Sequence, residues 1–284
     1  MTDPALLFSA MDKASSVANT PFFTTVIDRL FGFRISKWAA EGEIIKQHIK
    51  EGYEKAKESG IGGVQYIESI RHATNLIDIA TKTAKYIDQD KPNDIKMDND
   101  FFWNTIEHAK TISDEDVQEL VAKILAGEYN QPGKYSMSIL QTLKMLGKNE
   151  IELFERMCSL CVDTSLIPQI VFSLPESIEP LIRSLGIDFG SLQDLQNLGL
   201  FLPNGMYSTI ENPEKGELII NYFDKELRFK PTHETDYKIT FPEYYGLSKT
   251  GVQILKHLNP EFKEEYYTWL KTNFKINNYI LVEE

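Results

Sequence analysis

The chain has 284 residues, 42% of them hydrophobic, and a formal net charge of −12. That length holds one large core or two small ones, of which two is the better reading, and the acidic balance works against nonspecific attraction to nucleic-acid phosphates or anionic lipid. The excess is strongest over residues 61–210, where 12 Lys and Arg face 21 Asp and Glu, while residues 1–60 are neutral. No run of about 18 apolar residues is present, which excludes an ordinary membrane-spanning helix. The N-terminus carries Asp3 and Asp12 in place of a basic n-region, so it does not read as a secretory signal and the cytosol is the expected compartment.

Residues 2–17 read as a short helix. A second helix is expected from Thr20 as N-cap and Pro21 at the first helical position to about Lys57. Phe22, Val26, Leu30 and Phe33 form one stripe, and Phe23, Ile27 and Phe31 widen it until burial on more than one side is implied. Gly52 or the Gly60 to Gly63 cluster should end this helix. The next, Val64 to Asp88, carries Ile67, Ile70, Ala73, Ile77, Ala80, Ala84 and Ile87 at spacings of three and four. Such a seam suits antiparallel packing on the preceding helix, giving a helical hairpin over residues 1–90, with a homo-oligomeric coiled coil as the alternative.

Lys91 to Asp100, polar and containing Pro92, reads as a linker, with Asp98 capping a helix through Phe102, Trp103 and Ile106. Ser113 to Met157 then reads as three short amphipathic helices. Ser113 offers an N-cap hydroxyl, Asp114, Glu115 and Asp116 suit the first turn, and Val117, Leu120, Ile124 and Leu125 make one apolar face. Glu128 ends the first of these helices, Pro132 and Gly133 turn the chain, and the helix starting near Ser136 presents unpaired backbone N–H groups. A carboxylate accepting such groups would clasp the turn, which makes Glu128 a structural residue. Cys158 and Cys161 form a C-x-x-C pair on a helical run, but zinc needs four ligands and neither a second C-x-x-C nor a nearby His pair accompanies them, so they read as structural thiols.

Several of these residues carry a family resemblance. S-x-E-x-x-Q ending at Gln118, L-A-G-E from Leu125 through Gly127 to Glu128, Pro132-Gly133, and Ser136 to Leu143 together resemble a bacterial family defined by the domain of unknown function numbered twenty-eight-oh-six. A weaker similarity extends to abortive-infection-type proteins. Arg71 and Asn75 upstream, and the Leu192, Leu195, Leu198, Gly199, Leu200 and Leu247 to Gly251 runs downstream, agree with the pattern. Val121 departs from it, standing where such proteins often carry Trp. The resemblance covers roughly residues 65 to 272 and implies a setting in phage defence or stress response, without a mechanism.

From about Glu176 two short helices, near Ile178 to Leu185 and Phe189 to Leu198, precede strand-like runs at Leu218 to Phe223, Leu227 to Lys230 and Tyr237 to Phe241. A helix at Ser248 to Leu258 and another from Pro260 to Asn273 follow. Asp224-Lys225 suggests a hairpin, and the order matches a winged-helix module. The expected architecture is therefore mainly α, with the N-terminal hairpin over 1–90, a small helical bundle with the signature over 98–174, and a winged-helix-like α+β module over 176–284.

A winged helix invites a DNA-binding reading, yet residues 184–214 contain no Lys or Arg. Duplex readers need such cations for phosphates and usually for guanine. Nucleic acid is therefore not the expected partner. No phosphate-binding loop, G-x-S-x-G, H-E-x-x-H or H-R-D motif is present, and the five histidines share no helical spacing. No catalytic residue, cofactor or metal is assigned. The leading expectation is a non-enzymatic interaction or regulatory protein with a protein partner or self-association. The alternative is a membrane-active effector using the Phe22 to Trp38 helix, whose Phe22, Phe23, Val26, Ile27, Leu30 and Phe31 would meet a membrane surface or a partner.

Overall fold

The computed structural model describes residues 4–14, 16–17, 35–88, 98–173, 176–211, 216–232, 238–276 and 279–282, with the backbone alone for 35–43 and Phe189. The chain is mainly helical with small antiparallel sheets. It divides once into two compact units, 1–144 and 145–284, whereas the sequence suggested divisions near 90–98 and 174–176. Residues 145–174 thus belong with the C-terminal elements.

In the first unit, α1 (Pro4–Ala14) and α2 (Ile35–Glu58) precede a 3-10 turn (Gly60–Gly63) and α3 (Val64–Ala84). The glycine cluster does end α2, and Gly52 lies inside it, where a Cβ would overlap the ring of Tyr66. The expected start of a helix at Thr20 and Pro21 falls outside the described residues. Helix α3 is the organising element. Its Ile70, Ile77, Ala80 and Ala84 are buried, but its main neighbours are α1 and α5 (Glu115–Asn130) rather than the preceding helix. The reason lies in its other apolar residues: Leu76 and Ile79 are buried as well, so α3 is covered on a broader arc than one seam.

Helix α4 (Asn99–Ala109) starts where Asp98 accepts a hydrogen bond from the Phe101 N–H at 2.8 Å, as its sequence implies. The cap of α5 falls one residue later than expected. Asp114, not Ser113, accepts from the Asp116 and Val117 N–H groups, while the Ser113 hydroxyl accepts from the Asn75 amide at 3.2 Å. An ionised carboxylate is the stronger acceptor at a helix start. Val117, Leu120, Ile124 and Leu125 are all buried, each contributing about 1.5–3 kcal/mol by removal from water. Helix α6 (Ser138–Met145) follows.

The second unit begins with α7 (Lys148–Cys158), then β1 (Asp163–Thr164), β2 (Ile170–Phe172), α8 (Glu179–Ser184), α9 (Phe189–Asn197) and β3 (Thr209–Glu211). Next come β4 (Leu218–Tyr222), β5 (Lys225–Pro231), β6 (Lys238–Thr240), β7 (Tyr244–Gly246), α10 (Lys249–Leu255), α11 (Glu264–Thr272) and β8 (Tyr279–Leu281). The expected hairpin is β4–β5, turned at Phe223, whose φ is +55°. It is the centre of a four-stranded antiparallel sheet ordered β1-β4-β5-β8, and two further ribbons pair β2 with β7 and β3 with β6. Tyr222, fully buried on β4, donates to the Ser159 carbonyl at 2.7 Å and accepts from the Lys263 N–H at 2.9 Å, which pins the segment before α11 to the end of α7.

Gly63 separates the 3-10 turn from α2 at close range, since a Cβ there would overlap the Ala56 carbonyl oxygen, a backbone atom that cannot swing aside. Gly63→Ala is expected to cost about 1–3 kcal/mol. Gly62→Ala, whose nearest atom is 3.9 Å away, should change stability by less than about 0.5 kcal/mol. Urea denaturation of both variants checks the contrast.

Candidate functional site

The signature residues converge on the two ends of α5. At its start, the buried Asn75 side chain donates to the Lys110 carbonyl at 2.9 Å as well as to Ser113. Gln118, also buried, donates to the Ile112 carbonyl at 2.9 Å and accepts from the Lys82 ammonium at 2.9 Å. Both amides therefore satisfy carbonyls left open in the bend between α4 and α5. Unpaired, such groups would each cost about 1–3 kcal/mol.

At the other end, Glu128 is only 1% exposed. Its carboxylate accepts from the Gly133 N–H at 2.6 Å and the Tyr135 N–H at 3.1 Å, so it clasps the turn after α5 as its place in the sequence suggests. Gly133 takes φ +82°, a conformation costly for a residue with a Cβ. Gly127 gives room to the buried Tyr135, whose hydroxyl would lie 2.5 Å from a Cβ at that position. Burial, then the Glu128 charge, pushes the Tyr135 hydroxyl up to about 12. Pro132 is exposed at the turn, and the Ser136 hydroxyl shares a 2.7 Å hydrogen bond with Ser138 at the start of α6. Phe22, Phe23, Val26, Ile27, Leu30 and Phe31 lie outside the described residues.

Beside the α4–α5 bend runs a polar groove of about 1000 Å³ along α3, with α1 on one side and the start of α5 on the other. Arg71, Asn75, Asp78, Lys82 and Lys85 supply its floor from one face of α3, and Lys13 and Glu115 reach it from the flanking helices. Lys82 also donates to the Glu115 carbonyl at 3.2 Å. Burial pushes the Asp78 carboxyl up, against the opposing pull of Lys13 and Lys82. The sequence reading did not single out Asp78 or Lys82. Their spacing from Arg71 and Asn75 along one helix face was the available signal.

A second groove, of about 970 Å³, lies in the second unit between α8, α9 and the β2–β7 ribbon. Its interior is apolar, with Val171, Phe172 and Ile187 buried and Ile182 and Leu192 half-buried. Its mouth carries Glu179, Asp188 and Glu243. The one cation among its described lining residues, Arg183, is ion-paired with Glu179 one turn away. Asp188 accepts from the Ser191 hydroxyl and N–H, which holds its carboxyl below the usual range. Burial and the neighbouring Glu243 carboxylate push the Tyr245 hydroxyl up. Cys158, the last residue of α7, is buried, and that burial together with a hydrogen bond donated by its S–H to Cys161 pushes its thiol well up, away from the reactive thiolate.

These features define a mainly helical protein of two units, with a framework signature and a mixed-charge groove in the first and an acid-rimmed apolar groove in the second. Residues 65–271 match the family described as a protein of unknown function (DUF2806), and the chain belongs to that family. Neither a curated protein nor a solved structure matches the chain.

Two outcomes test these assignments. Glu128→Gln replaces an acceptor oxygen with a donor facing backbone N–H groups and is expected to lower stability by about 1–3 kcal/mol in urea denaturation. For Asp78, a folded pKa raised above the ordinary 3.8 means that the ionised form is disfavoured by folding. Asp78→Asn should therefore raise the melting temperature at neutral pH. That gain should shrink as pH falls through the raised folded value and vanish below the ordinary one, as followed by calorimetry across pH.

Proposed function

We propose that this protein is a non-enzymatic interaction or regulatory protein whose second unit carries a winged-helix-like module adapted to dock protein rather than duplex DNA. Support for the module comes from the order α7, β2, α8, α9, β3, β6, β7, with β2 antiparallel to β7 in the register Ile170 to Gly246 and Phe172 to Tyr244. Met206 bridges Tyr244 on the other edge, and β3 pairs with β6 beyond it. On this reading the wing is the β3–β6 ribbon and not the hairpin of Leu218 to Phe223 with Leu227 to Lys230, which the sequence suggested as the wing; that hairpin, β4–β5, lies in the four-stranded sheet and is an insertion. The bacterial origin and the phage-defence or stress setting rest on the signature resemblance alone.

The observation that carries the docking reading is the exposed face of α9. In a winged helix this is the helix that would enter the major groove. Gln193, Asp194 and Asn197 are its exposed residues after the first turn, and they offer one carboxylate and no cation. Phosphate contacts supply most of the affinity for a duplex and require Lys or Arg. An uncharged-to-acidic face with amide side chains instead suits a protein surface, where polar rims surround apolar centres.

Affinity purification at native expression, with sedimentation velocity on the pure chain, tests this. A stoichiometric protein partner or a stable self-assembly is expected, and Asp194→Arg with Asn197→Arg should reduce it about fivefold or more. A strictly monomeric chain with no partner, or duplex binding that weakens steeply with added salt near physiological ionic strength, would overturn the reading.

A further inference from the structure

Resting on the protein-docking reading above, we infer that the groove between α8, α9 and the β2–β7 ribbon takes the apolar face of a basic amphipathic helix presented by the partner protein.

Shape and backbone bonding argue for a helix. The β7 backbone is occupied on both edges. On one side it pairs with Ile170 to Phe172. On the other the Met206 N–H donates to the Tyr244 carbonyl at 2.8 Å, and the Leu202 N–H to the Gly246 carbonyl at 2.9 Å. No free β7 edge is left for an added strand, so β-augmentation on β7 has nothing to bond. The groove offers side chains instead: Val171 and Phe172 as its base, with Ile182 and Leu192 facing in from the two helices. Apolar anchors at i, i+3 or i+4, and i+7 on one helix face match a trough of this kind.

Charge selects the partner's sign. Three carboxylates rim the mouth against one guanidinium already held by Glu179. Glu243 is held in place on the ribbon: its side chain lies over Gly205, where a Cβ would come within 2.5 Å of Oε1. Asp188 is fixed by its bonds to Ser191. Carboxylates positioned this way beside an apolar wall attract Lys and Arg flanking an apolar face more strongly than in open water, and they repel Asp and Glu. Rejection of acidic helices is as much a part of specificity as attraction of basic ones.

The test uses the full chain and two fluorescein-labelled helical peptides of about 14 residues, built from Leu with Lys or from Leu with Glu in the same pattern. Anisotropy is followed at near-physiological salt. The Leu/Lys peptide should bind saturably, with about one site per chain, and Glu243→Gln and Leu192→Asp should each weaken it about tenfold. Glu261→Lys, a charge change of larger size at an exposed residue of the same unit, should alter binding by less than about twofold. Thermal melting confirms that each variant folds, and Glu243→Gln carries the test if Leu192→Asp does not. Equal binding of the Leu/Glu peptide, an effect of Glu261→Lys as large as that of Glu243→Gln, or no saturable binding would each overturn the inference. If those outcomes occur while Asp194 and Asn197 remain necessary for partner recovery, the basic-helix assignment fails and the docking reading stands.

Discussion

The second unit depends on one short pairing, that of Ile170 to Phe172 with Tyr244 to Gly246. The two segments are far apart in the chain, and closing such a loop has an entropic cost that a few backbone hydrogen bonds do not offset. Burial does. All three residues of β2 are at most 2% exposed, and the Phe172 ring sits 4.3 Å from that of Phe274. Phe274 in turn meets Phe229 on the four-stranded sheet and Trp269 on α11. One continuous aromatic chain therefore fastens the small ribbon to the larger sheet. The groove is a consequence, because Phe172, anchored on Phe274, also lines it together with Val171 between α8 and α9.

In the first unit the corresponding constraint is the bend between α4 and α5. A bend between two helices leaves carbonyls without intrahelical partners, and the chain answers with two buried amides. Asn75 reaches from α3 and Gln118 from α5 itself, so the bend is held from both sides. Glu128 does the same for the turn at the far end of α5. Asn75, Gln118 and Glu128 are thus each spent on backbone groups. A signature built this way preserves the path of the chain.

Local features were readable from the sequence because local physics sets them. The Asp98 cap, the apolar face of α5, the end of α2 at the glycines and the Glu128 clasp each depend on residues within a few positions of one another. The β4–β5 hairpin was legible for the same reason, although its turn places Phe223 at positive φ, which no residue preference announces. The β2–β7 ribbon was not legible. Each strand has three residues, too few to show a period of two, and Tyr244-Tyr245-Gly246 adjoins a Pro-containing segment that reads as loop. The partners of α3 were misjudged for a related reason: sequence spacing identifies an apolar seam but not which helix covers it. Both grooves follow from these long-range choices, so the residues that line them could be named only once the pairings were known.

The two grooves differ in what they can discriminate. Along this groove Lys13, Arg71, Lys82 and Lys85 are set among Asp12, Asp78 and Glu115. A ligand of either sign finds both attraction and repulsion there within a few ångströms, and the net preference is small. The groove beside α9 is different, since the one cation among its described lining residues is already neutralised by Glu179 and its wall is apolar. Low local polarity strengthens the effect of the remaining carboxylates. Beyond the Debye length of about 8 Å at physiological salt the rest of the acidic surface is screened. Recognition is then governed by the handful of charges at the mouth. A phosphate entering there would lose its hydration and meet carboxylates and a guanidinium already paired, whereas an ammonium or guanidinium on an apolar stem would exchange water for negative charge while its stem is removed from solvent. The same topology that brings α9 to the surface therefore presents it beside carboxylates, the sign of charge that suits the basic amphipathic helix we propose and disfavours a polyanion.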